Sequence, residues 1–84
     1  MNKIDSIKKK IVYRSEYRGI KEMDLILSAF IKKYLNSLNY NELLDLNEIL
    51  ENDDDLIFKW YSGRITSGIK ETRVSNLLKN FKLD

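Results

Sequence analysis

The sequence has no cysteine, no histidine and no proline, and only three glycines among 84 residues. Without cysteine there is no disulfide to staple a small fold, no thiol nucleophile and no thiolate metal site. Without histidine the chain lacks the side chain that most often moves protons near neutral pH, and with it the commonest metal ligand. Three scattered glycines cannot build a glycine-rich phosphate loop. No apolar run approaches the ~18 residues that a membrane-spanning helix needs. A chain of this length buries only about 60–65% of its unfolded surface, so what core it has must be efficient.

What remains is 43% hydrophobic and 33% charged, the composition of a soluble helical protein. The net charge is only +2, but it is unevenly spread. Residues 1–33 carry nine Lys/Arg against four acids, and residues 41–58 carry seven acids and no base. Residues 59–82 carry six bases and one acid, Glu71. Such polarity suits docking on a charged partner, and equally describes a solvated surface. The opening "MNKIDSIKKK" has bases but no apolar stretch behind them, so it does not read as a secretory signal. The expectation is a cytosolic protein; the short N-terminus favours bacterial cytoplasm over mitochondrial matrix.

Hydrophobic spacing predicts a compact five-helix bundle, all-α, forming a single domain over residues 1–84. The helices fall at about 5–17, 21–37, 41–51, 53–62 and 68–82. Ile4, Ile7 and Ile11 mark the first, capped by Asp5 or Ser6. Met23, Leu27, Phe30, Ile31 and Tyr34 form the widest stripe, making the second helix the expected centre of the core. Asn39 and Glu42 have the spacing of a capping box before the third helix. "ENDDD" lacks the alternation and central glycine of a calcium loop, so its role is to start the fourth helix, with Asn52 or Asp53 as cap. Phe58, Trp60 and Tyr61 are the densest aromatic cluster, and at least two of them should close the core. Thr66 or Ser67 is the expected cap of the last helix.

Catalysis by this chain is not expected, because a general base would have to be Asp, Glu, Lys or Tyr with a strongly shifted pKa in a buried pocket. Nor is a metal site or a bound cofactor. Lys8, Lys9, Lys10 and Arg14 lie where they could meet phosphates, so a small nucleic-acid-binding or other interaction module is the alternative. Against nucleic acid stand the small net charge and the absence of a basic helix face carrying base-reading side chains.

The most informative stretch is "SEYRGIKEMD", residues 15–24. Gly19 fits the left-handed position just past a helix end, and Glu22 and Asp24 suit the first turn of the next. Two readings stay open on the residues alone. In one, Arg18 pairs internally and the corner is structural. In the other, Arg18 and Glu22 stand together on an exposed rim, with Gly19 letting another backbone approach.

These residues resemble the succinate dehydrogenase assembly factor 2 family, the flavinylation factors of bacteria and mitochondria. Its signature is an arginine–glycine pair followed after two residues by glutamate at the junction of the first two helices, here Arg18-Gly19-Ile20-Lys21-Glu22. "IVYRSEYRGIKEMDLILSAF" and "DLIFKWYSG", with Trp60, match more widely, over roughly residues 7–82. Two departures are Tyr17, where many relatives have a base, and the missing proline before the last helix. The resemblance implies a chaperone that binds the flavoprotein subunit of succinate dehydrogenase or fumarate reductase and promotes covalent FAD attachment to it. It implies partner contacts at Arg18, Gly19 and Glu22, with Arg14, Tyr17 and Asp24 around them. FAD then belongs to the client, and this chain binds none stably, enters no membrane and is a monomer when free.

Overall fold

A computed structural model describes residues 2–16 and 18–83. Three of the five described helices start where a polar side chain takes up a free amide of the first turn; the second has no such cap, nor has the fourth, where Asp53 holds the cap position but its side chain accepts no hydrogen bond. The Asn2 side chain accepts from the Asp5 amide at 2.8 Å, so α1 begins at Lys3 and runs to Ser15. Its end is local. Ser15 Oγ donates to the Val12 carbonyl at 2.8 Å, and Glu16 leaves in an extended conformation (φ −94°, ψ 154°). The end expected at residue 17 lies outside the described residues.

Helix α2 spans Lys21–Tyr34 and passes into a short 3-10 turn, Leu35–Ser37, where one longer helix was expected. The capping box before α3 (Tyr40–Leu50) is present, with Asn39 and Glu42 exchanging hydrogen bonds of 2.9 Å. Helix α4 covers Asp54–Tyr61. Its C-terminus is a Schellman turn: Gly63 has φ +83° and donates to the Trp60 carbonyl at 3.1 Å, and Arg64 donates to Lys59 at 2.8 Å.

The last helix departs most from expectation. A second capping box, Thr72 with Ser75, starts α5 at Arg73, and the helix ends at Lys79. Thr66 and Ser67 instead lie in the irregular stretch before it. Gly68 there has φ +98°, and an ideal Cβ on it would sit 3.0 Å from Leu56 Cδ1. A helix starting at 68 would need that residue in right-handed geometry and would lose this packing.

Among the described residues there are thus five α-helices and no strand. The radius of gyration, 12.0 Å, is that of one compact body of this length. Helix α2 supplies the most buried apolar side chains: Met23, Ile26, Leu27, Phe30 and Ile31. Helix α3 is the hub of packing, lying against both α1 and α5. Each fully buried side chain of this size contributes about 1.5–3 kcal/mol. Trp60 is buried, with Phe58 and Tyr61 partly so at the edge of the same core. Phe30, Tyr34 and Phe81 form a second aromatic group, with ring centroids 4.9 to 6.2 Å apart. This framework brings the α1–α2 corner against the α3–α4 corner.

Candidate functional site

Arg18 is turned into the bundle. Its Nη1 donates to the Arg14 carbonyl at 2.7 Å and the Leu50 carbonyl at 3.1 Å, and Nη2 donates to Asn52 at 3.0 Å. Its Nε pairs with Asp54. Only 11% of the Arg18 side chain and 15% of that of Asp54 are exposed. The arrangement follows from the ends of two helices. The last carbonyls of α3 have no partner further along the helix and carry the negative end of its dipole, which a guanidinium satisfies. Asp54 stands in the first turn of α4, where the dipole favours a carboxylate.

The other oxygen of that carboxylate reaches back to the corner. Asp54 Oδ2 accepts from the Gly19 amide, and from the Ile20 amide at 3.2 Å. Ile20 is the N-cap residue of α2 and has no side-chain oxygen to offer. A carboxylate 34 residues away in the chain therefore holds the two peptides that lead into α2, while the first-turn amides of that helix receive no side-chain cap. Gly19 is explained by the same contact. It does not adopt the left-handed conformation expected of it, since the positive-φ glycines are Gly63 and Gly68. An ideal Cβ at Gly19 would instead lie 3.3 Å from Asp54 Oδ2, tighter than ordinary contact. The glycine lets a carboxylate approach, where a partner's backbone was expected.

The corner thus has an inner and an outer half. Arg18 does not project from a rim, and the internal pairing left open by the residues is the one found. Glu22, on the first turn of α2, is exposed, Asp24 two residues on is half-buried, and so is Arg14 near the end of α1. Tyr17 lies outside the described residues. Tyr13, which shares a shallow surface with Arg18 and Gly19, is 79% exposed, and Leu25, one turn along from Glu22, is 52% exposed. Val12, Leu25, Ala29 and Leu83 line an open groove of about 540 Å³ between α1 and α2. Apolar surface gathered beside a fixed polar corner is a feature of protein-binding faces. Among the described residues no three acidic side chains converge to hold a metal ion.

Sequence reasoning missed Asp54, which it placed only among the acids that start α4. The available signals were an acidic run longer than one cap requires and an arginine at a bend with no acid at helical spacing behind it.

Fold and site together define a small all-α protein with a braced polar corner beside an apolar groove. Comparison with known sequences narrows the class. The sequence model of the family described as flavinator of succinate dehydrogenase matches residues 9–82. Relatives named succinate dehydrogenase assembly factor 2, mitochondrial, include those of Debaryomyces hansenii and Saccharomyces cerevisiae. The first is 35% identical over 80 residues, covering 95% of this chain and 54% of the relative. The second is 34% identical over 80 residues, covering 95% and 47%. A Lodderomyces elongisporus relative of the same name is 42% identical over 57 residues, 68% of this chain and 35% of that one. This chain belongs to the succinate dehydrogenase flavinator family. It spans about half or less of the length of these relatives. No solved structure matches it.

Proposed function

We propose that this chain is an assembly chaperone that binds the flavoprotein subunit of succinate dehydrogenase, or of the related fumarate reductase, and promotes covalent attachment of FAD to it. The observation that carries this reading is the family match over residues 9–82, which spans the whole corner. The flavin and the residue that receives it belong to the client. The factor contributes no reacting group and no stable FAD site, and it acts by holding the client in the conformation in which its own groups react. It works as a monomer, in the bacterial cytoplasm or the mitochondrial matrix.

Glu22 is the centre of the proposed contact, with Arg14, Tyr17 and Asp24 around it. Arg18 serves it from within, as the brace beneath the contact, while Gly19, itself exposed, remains part of the contact surface. The exposed Tyr13 and Leu25 supply apolar area beside the charge. An exposed tyrosine is of the type that anchors interfaces, and a fixed charge beside it adds orientation.

The test is covalent flavin on the flavoprotein subunit, read by in-gel fluorescence in cells lacking the factor and after adding it back. Restored fluorescence with the wild-type chain, and its loss with Glu22→Ala at unchanged helical circular dichroism, is the expected result. Equal fluorescence with and without the wild-type chain would sink the reading.

A further inference from the structure

We propose that Asp54 is a positioning residue of the arginine–glycine–glutamate corner, a distant fourth member that fixes the corner so that Glu22 meets the flavoprotein subunit in one orientation. This rests on the reading above and adds a residue of α4 to it.

The geometry carries the assignment. One Asp54 oxygen pairs with Arg18 Nε, and the other takes the amides of Gly19 and Ile20. Those two peptides immediately precede Lys21, the first residue of α2, and Glu22 follows it. The start of α2 has no side-chain cap of its own, so the direction in which Glu22 leaves the bundle is set across the fold from α4. Gly19 is compatible with this because its missing Cβ is what lets the carboxylate come near. Arg18 completes the brace by joining the same carboxylate to the carbonyls of Leu50 and Asn52 at the end of α3. Charge alone does not define the role. A carboxylate merely neutralising Arg18 would leave the two amides to water, whereas this one binds arginine and amides at once. An Arg18→Asp, Asp54→Arg exchange restores charge balance but removes the amide acceptor and the donors to three carbonyls, so it does not restore binding.

Asp54 does not touch Glu22, so their coupling distinguishes positioning from simple stabilisation. The measurement is binding of the full chain to the flavoprotein subunit of succinate dehydrogenase, at a temperature where circular dichroism shows every variant folded. Asp54→Asn and Glu22→Gln should each weaken binding by about tenfold or more, and the double variant should bind within about threefold of the weaker single one. Their effects on Tm should simply add, since the two side chains make no contact. The Gly19 and Ile20 amide protons should exchange faster in Asp54→Asn while the core amides keep their protection. If Asp54→Ala does not fold, Asp54→Asn carries the test, because its amide oxygen is still the right size for the site.

Three results overturn the proposal. These are folded Asp54→Asn binding at wild-type strength, the two losses in binding multiplying as independent effects, and both Asp54 variants failing to fold, which makes Asp54 a scaffold residue only. A wild-type chain that neither binds the subunit nor raises covalent flavin is a different failure, and it sinks the functional reading itself.

Discussion

Among the described residues two arginine–carboxylate pairs tie this fold across long stretches of chain, and they differ in the exposure of the arginine and in what else each partner holds. Arg18 and Asp54 are 36 residues apart, with side chains 11% and 15% exposed. Arg73 and Glu42 are 31 residues apart, and the Arg73 side chain is 70% exposed. Arg18 makes three further hydrogen bonds to backbone carbonyls, and Asp54 accepts two from backbone amides. Glu42 has its own task in the α3 capping box, and Arg73 comes to it from the first turn of α5. Both partners of the inner pair are largely shielded, so each charged atom depends on the partners the fold supplies. In the outer pair only Glu42 is shielded, at 16% exposure, and its cap already holds it; Arg73 keeps its water, so closure gains little. Ion pairs that look alike in a distance table therefore do different work: one fixes the relative position of two corners, and the other reinforces a cap.

Arginine removal should separate the two most widely. Arg18→Ala leaves the Asp54 carboxylate and the carbonyls at the end of α3 without their donor, at a cost of about 3–5 kcal/mol. In a domain of this size that lowers Tm by roughly 10 °C or more. Arg73→Ala should cost under about 1 kcal/mol. Arg18→Lys should behave much like Arg18→Ala, because a single ammonium cannot serve an aspartate and three carbonyls spread around a planar fork. Thermal melts of the three variants check this, and equal losses at Arg18 and Arg73 would break the comparison.

The glycines sharpen it at a smaller scale. Gly63 is required by backbone conformation, so Gly63→Ala should cost about 1 kcal/mol of stability and leave client flavinylation intact. Gly19 is required by the approach of Asp54, so Gly19→Ala should cost less than about 1 kcal/mol in the fold, the carboxylate giving way by a few tenths of an ångström. Its effect on client binding should exceed that of Gly63→Ala. Melting curves and covalent-flavin assays on the same two proteins decide the matter, and a reversed order would mean that Gly19 is an ordinary turn residue.

The legible parts of this molecule were the local ones. Met23, Leu27, Phe30 and Ile31 announce α2 by spacing, and Asn39 with Glu42 announces α3, because helical period and capping act over three or four residues. The start of α5 was misplaced because Thr66, Ser67 and Thr72 are all chemically able to cap. The choice fell to Ser75 completing the box at Thr72 and to Gly68 packing over Leu56. At the site, Arg18, Gly19 and Glu22 could be picked out together, but not the inward turn of Arg18. That turn is decided by Asp54, Leu50 and Asn52, which lie more than 30 residues away in the chain. The glycine was assigned to a helix end for the same reason: the group that comes close to it belongs to another helix.

The smallest expected effect is the dependence of the outer pair on pH. The Asn39 amide, with the Arg73 guanidinium behind it, holds the Glu42 carboxyl below its usual range. A carboxyl whose pKa is lower folded than unfolded binds fewer protons in the folded state. Its contribution is therefore full above the unfolded value of about 4.3 and fades as pH falls through the depressed folded value. Glu42→Gln keeps an oxygen for the Asn39 amide and removes the charge. Melts between about pH 3 and 6 should show the wild type losing its advantage over Glu42→Gln toward the acid end, with Arg73→Ala narrowing the gap at the higher pH. Since Arg73 is mostly exposed, added salt should shrink its part of that gap, while the part due to Asn39 persists. A gap that stays constant across the pH range would mean that Glu42 acts through its shape in the cap and not through its charge.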